Sequence, residues 1–210
     1  MRGLSTYDEL RNGVITDMAK ENEEGITAAV DNAISLSIKH YESKPWWFLE
    51  GQSGIVTSDG TEYYDLPSDY GSTIISFGIT ISGNTYPLVE RHYKLLEDWY
   101  TAGTIFSGYP TDYAVYGERL RLYPVPNDTY TATLSYSMSL GVPSANGSNA
   151  WTDDAEMLIR SRAEWQLYSL RYHDLEAATV AKQVENDALQ SLTRANNQRV
   201  MTGTTRKRRI

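Results

Sequence analysis

The sequence predicts an α+β protein: a helical layer from the N- and C-terminal segments, with an antiparallel β-domain inserted between them. Three observations carry this. Apolar residues recur at helical intervals before residue 45 and again after 150. Between 53 and 140 they alternate with polar residues in steps of two. Gly, Asn, Asp and Pro punctuate that middle stretch. At 210 residues the chain fits one domain or two small ones, and such a length buries roughly 70% of its unfolded surface without staples. The expected boundaries are 1–45 for N-terminal helices, 46–141 for the β-domain, 150–198 for C-terminal helices and 199–210 for a basic tail.

The first helix starts at Thr6, where Glu9 three residues later has capping-box spacing. Leu10, Val14 and Met18 follow at helical intervals. Glu23-Glu24-Gly25 separates a second helix, on which Ile26, Val30, Ala33, Ser37 and Tyr41 share a face. Pro45 ends it. Trp46-Trp47-Phe48 then reads as an aromatic plug at the helix-to-sheet junction.

Asp59-Gly60 is a hairpin signal between residues 54–57 and 61–64. In the strand over 73–82, Ile75, Phe77, Ile79 and Ile81 fall on one face, which alternation makes the buried one. Gly83-Asn84 turns the chain back into residues 85–88. A short helix near 90–100 would pack Leu95, Leu96 and Trp99 inward. Residues 113–116 and 119–123 form a hairpin around Gly117-Glu118, with Leu120 and Leu122 facing away from Arg119 and Arg121. Pro124, Pro126, Asn127 and Asp128 make a loop. The last strand sets Tyr130, Ala132, Leu134, Tyr136 and Met138 on one face and Thr and Ser on the other, as in an antiparallel sheet with one buried face.

After a polar loop over 141–149, Asp153, Asp154 and Glu156 crowd a first helical turn, where the helix dipole favours acids. Ile159, Ala163, Leu167 and Leu170 form its stripe. Asp174 caps a further helix whose narrow face is Ala177, Ala181, Val184, Ala188 and Leu192. Such small residues permit close helix approach, within a subunit or between neighbours. Residues 201–210 show no apolar periodicity.

Composition excludes several functions. With no Cys there is no disulfide scaffold, thiol nucleophile or Cys zinc site. No stretch approaches the roughly 18 apolar residues of a membrane span, and the N-terminus lacks the apolar core of a secretory signal. His40, His92 and His173 have no metal-ligand spacing. There is no phosphate loop, dinucleotide fingerprint or nucleophile elbow. Asp153 and Asp154 read as cap residues rather than acid-base catalysts. No catalytic residue, cofactor or metal is expected. The net charge of -8, from 19 bases against 27 acids, argues against a general nucleic-acid binder. The exception is the basic run Arg206, Lys207, Arg208, Arg209, followed by Ile210. Sixteen Tyr against three Phe suit half-wet surfaces and subunit interfaces.

The order of short motifs carries a resemblance. Tyr63-Tyr64-Asp65-Leu66-Pro67-Ser68-Asp69-Tyr70 is followed by a strand and by Tyr86-Pro87-Leu88. Then come Gly108-Tyr109-Pro110-Thr111-Asp112-Tyr113-Ala114 and Arg119-Leu120-Arg121-Leu122-Tyr123-Pro124-Val125-Pro126. The strand over 130–136 and Asn149-Ala150-Trp151 leading into a helix complete the series. Over roughly residues 6–195 this resembles the adaptor proteins of tailed bacteriophages, the head-to-tail connectors of podovirus-like phages.

The resemblance implies a structural virion protein at the head–tail junction, assembled in the bacterial cytoplasm and without enzymatic activity. Such adaptors form dodecameric rings beneath the portal, extend the channel through which double-stranded DNA passes, and attach tail, nozzle or tail-fibre proteins. A C-terminal extension often reaches the portal, a role that here would fall to Arg206, Lys207, Arg208, Arg209 and Ile210. Contact with DNA phosphates and a solvated end are the other readings of that run. An acidic lumen would repel passing DNA, although net negative charge also simply confers solubility. Two alternatives remain open. One is a glycan-binding or glycan-cleaving virion module using Trp99, Tyr100 or Tyr109. The other is another connector layer such as a stopper.

Overall fold

A computed structural model describes residues 5–102 and 106–206, with the side chains of 200–206 excepted. The α+β class with an inserted β region holds. The chain forms two compact units, Met1–Phe48 with Leu140–Ile210, and Leu49–Ser139.

The first unit is helical. Helix α1, Tyr7–Asp17, carries both bonds of the expected capping box. The Glu9 amide donates to the Thr6 hydroxyl, and the Thr6 amide to the Glu9 carboxylate (2.8 Å). Leu10, Val14 and Met18 are buried. Gly25 sits at φ +74° before α2, Ile26–Glu42, a left-handed conformation that glycine adopts without strain. The five residues expected on α2's inner face are all buried, and Ile34 and Ile38 widen the stripe. Past Pro45, Trp46 is buried, and Phe48 meets the fully buried Trp151 edge-on at 5.1 Å.

The C-terminal helices depart from expectation in several places. Asn149, rather than Asp153 or Asp154, caps the start of the short α4, Ala150–Asp153, and Asp154 lies at its C-cap. Helix α5, Glu156–Gln166, is a separate element. It runs into a wide π turn, Leu167–Tyr172, whose extra residue per turn shifts the phase of the stripe. Leu167 stays buried, while Leu170 swings out to 71% exposure. The Ala177 amide donates to the Asp174 carboxylate, opening α6, Leu175–Arg206, a helix of 32 residues. It continues beyond residue 201, where apolar periodicity stops. On α6 the expected Ala181 and Leu192 are buried, but Ala178 and Glu185 point inward in place of Ala177 and Val184.

The second unit packs two four-stranded sheets around one core. The first sheet joins β1 (Glu50–Val56), β10 (Thr131–Met138), β3 (Tyr70–Ile81) and β4 (Asn84–Pro87), in that order. The second joins β2 (Tyr63–Asp65), β8 (Arg119–Tyr123), β7 (Asp112–Tyr116) and β5 (Val89–Glu90). Between β5 and β7 lie α3, Tyr93–Thr101, and the two-residue β6, Ser107–Gly108; β6 pairs with β9, Val125–Pro126. The sheet is therefore not single. Nor is it purely antiparallel, because β5–β7 and β6–β9 run parallel. Phe77, Ile79, Leu134 and Tyr136 from one sheet meet Tyr113, Leu120 and Leu122 from the other.

Four expectations need correction here. Asp59-Gly60 does turn the chain, with Gly60 at φ +72°, but it joins no hairpin. All seven residues of β1 pair with β10, and β2 pairs with β8 in the other sheet. Ile75 is 54% exposed. The register steps from Ser135↔Ser76 to Tyr136↔Ile74, so Ile75 is a bulge residue and the face alternation inverts there. On α3, Leu96 is the buried anchor and Leu95 is 40% exposed, because a short helix presents only one narrow face to β7 and β8. The β3–β4 turn residues are Ser82 and Gly83, both at positive φ, rather than Gly83-Asn84.

Candidate assembly surfaces

Helices α2, α5 and α6 are tied by one buried carboxylate. Glu185 is 1% exposed and accepts from the Tyr41 hydroxyl (2.5 Å), Arg162 Nη1 (3.0 Å) and Lys182 Nζ (2.8 Å). Burial opposes its charge, but the bonds from Lys182 and Tyr41 and the positive Arg162 outweigh burial and hold its pKa below the ordinary carboxylate value. Arg162 and Lys182 both lie over the Trp165 ring, at 4.6 and 5.1 Å. Sequence reading missed Glu185. The available signal was an acid on the α6 face that runs 178, 181, 185, 188, 192.

The outer side of the α5–α6 pair is open in two places. Near the start of α5, Met157, Leu158, Ala188, Leu192 and Ala195 line a hollow of about 390 Å³ with Trp47, over which Arg199 lies at 4.3 Å. At the other end, Ala177, Val180, Ala181 and Val184 floor a hollow of about 470 Å³. Its rim holds Asp17, Glu164, Asp174 and Glu176. On α6 the lining residues 177, 180, 181, 184, 188, 192 and 195 recur at i, i+3 or i+4, so the two hollows lie along one side of that helix. Val180 is 62% exposed. Arg160 donates to the Gly13 carbonyl (3.1 Å) and pairs with Asp17 and Glu164. Burial first, then the hydrogen-bonded Asp17 carboxylate, pushes Glu164 up to about 7, against the pull of Arg160.

In the β unit the corresponding feature is a buried cation. Arg121, 5% exposed, pairs with Glu62 and Glu97 and lies over the rings of Tyr63, Tyr93 and Tyr100. The alternation Arg119-Leu120-Arg121-Leu122 treats the two arginines alike, yet only Arg119 is exposed. A hollow of this unit is lined by Asp65, Leu66, Pro67, Tyr70, Tyr116 and Arg119.

The tyrosines divide between two roles. Tyr86, Tyr109 and Tyr116 are half-exposed or more. Others donate to acids: the buried Tyr7 to Asp31, Tyr41 to Glu185 and Tyr136 to Asp69, and the partly exposed Tyr172 to Glu23. Desolvation and the adjacent carboxylate raise each of these hydroxyls above its ordinary pKa. These four of the sixteen Tyr thus serve pairing with acids in an acidic chain.

The remaining sequence candidates do not converge. Trp99 and Tyr100 both pack on Tyr123, and Tyr100 donates to the Leu122 carbonyl (2.7 Å); Tyr109 stands apart on the surface. His40 packs edge-on to Tyr41, His92 caps α3 and His173 ends the π turn. Among the described residues no group of acids and histidines is arranged to hold a metal ion, and no helix is long and apolar enough to cross a membrane. Arg206 is the last residue of α6; Lys207, Arg208, Arg209 and Ile210 lie outside the described residues.

No curated protein matches the chain significantly. The family model described as SU10 adaptor protein matches residues 5–208. That span takes in the helical unit, the whole β insertion and α6, and the chain belongs to the SU10 adaptor protein family, a family of bacteriophage adaptor proteins.

Proposed function

We propose that this chain is the head-to-tail adaptor of a podovirus-like tailed phage. Copies close into a ring, a dodecamer, beneath the portal. The ring extends the channel for double-stranded DNA and offers a platform for tail, nozzle or tail-fibre proteins. It transforms no substrate. The family match over residues 5–208 carries this reading.

The physical features support it. Ring contacts are head-to-tail, so each subunit needs two unlike faces. The helical unit has an outer α5–α6 seam, and the β unit has exposed Tyr86, Tyr109 and Tyr116, residues of a type enriched at interfaces. The helical unit carries the ring and portal contacts, and the β unit faces the tail partners. An acidic chain that lines a channel repels phosphates and does not trap the duplex. The glycan reading loses its stacking platform, because Trp99 and Tyr100 are both turned onto Tyr123.

Co-expression with the cognate portal, followed by cryo-electron microscopy of the complex, tests the proposal. The expected result is a closed ring of this chain on the portal. Failure to associate with the portal under virion-like conditions would overturn it.

A further inference from the structure

Resting on the ring reading, we propose that the hollow floored by Ala177, Val180 and Val184 and rimmed by Asp17, Glu164, Asp174 and Glu176 receives the basic segment Arg206–Arg209 of a second copy of this chain.

Charge complementarity is the first argument. Four carboxylates border the hollow, with Arg160 bonded to two of them. The segment Arg206, Lys207, Arg208, Arg209 supplies four consecutive cations in a chain whose net charge is -8. Guanidinium groups bind carboxylates through paired hydrogen bonds. The aliphatic stems of Arg and Lys can lie on apolar surface while the heads reach the acids. Val180, 62% exposed, and Val184, 38% exposed, offer that surface.

Reach is the second argument. Helix α6 is continuous from Leu175 to Arg206. At 1.5 Å per residue, Arg206 lies about 39 Å along the axis from Val180. Lys207 to Arg209 extend at most about 10 Å further. The segment therefore cannot return to the hollow of its own subunit, and the occupant must come from another copy. Donor and acceptor sit at opposite ends of α6, and on the ring reading the contact repeats head-to-tail from copy to copy; a two-fold exchange of tails would instead stop at dimers. This makes a neighbouring subunit, rather than the portal, the first partner of the basic run.

Because the chain has no Cys, the full-length double variant E176C/R208C gives a clean cross-linking assay in complexes co-assembled with the cognate portal. Oxidation should produce a ladder of covalent multimers on a non-reducing gel. The single variants E176C and R208C, mixed, should stop at dimers. The charge reversal R206E/R208E should lower ring yield at least tenfold at low salt, with E176K restoring part of it. Rings that form normally while R208C links only to portal cysteines would overturn the inference and leave the ring reading standing. No ring on the portal with the parent chain would overturn both.

Discussion

Each unit of this protein is organised around one buried charge, and the two charges are satisfied in opposite ways. Glu185 is a carboxylate met by two cations and a hydroxyl, contributed by α2, α5 and α6. Arg121 is a cation met by two carboxylates and the faces of three tyrosines, all from the β unit. The rings can pack against an apolar replacement for Arg121. Loss of the Glu185 carboxylate instead strands the buried Tyr41 hydroxyl and the half-buried Arg162 without their acceptor, while Lys182, 40% exposed, can turn to water. The comparison teaches that the helical unit depends on its buried charge more than the β unit does.

The largest expected effect is therefore E185A. Leaving Tyr41 and Arg162 without their partner should cost about 3 kcal/mol in urea unfolding. R121M, which keeps the length of the side chain against the rings, should cost about 2 kcal/mol. If R121M proves the more damaging, the comparison is wrong. Y136F, which removes the hydroxyl bonded to Asp69, should cost about 1 kcal/mol by the same measurement.

A smaller effect separates two carboxylates of the helical unit by pH. The pKa of Glu185 is lowered on folding, so its contribution is present above the ordinary carboxylate value and is lost as pH falls. Glu164 is raised to about 7 beside Asp17, Arg160, Tyr168 and Asp174. Its contribution is full below its ordinary value of 4.5 and disappears as pH rises through about 7. E164Q should remove that slope, leaving stability at pH 4 unchanged and raising it at pH 8. An unaltered slope in urea midpoints across this range would show that Glu164 does not titrate there.

Much of the helical unit was legible. The Thr6–Glu9 box, the Gly25 break, the inner face of α2 and the Asp174 cap all depend on contacts within a few residues. Leu170 was misplaced because nothing in its spacing announces a π turn. Glu185 was missed because an isolated acid on a helix reads as solvent-facing until Tyr41, Arg162 and Lys182 are brought around it. In the β unit the alternations of β8 and β10 were legible, but partners were not. Asp59-Gly60 has hairpin chemistry, and only the pairing of β1 with β10 shows that the turn leads from one sheet to the other.

What the sequence by itself determined is the class, the inserted order of the elements, the Thr6 and Asp174 caps and most of the buried faces, because periodicity, turn chemistry and capping act over short stretches of chain. Only the tertiary structure decided which strands pair, where the bulge at Ile75 inverts a face, and that Glu185 and Arg121 lie inside. Those outcomes depend on groups tens of residues apart, and burying a charge becomes favourable only when its distant partners arrive with it.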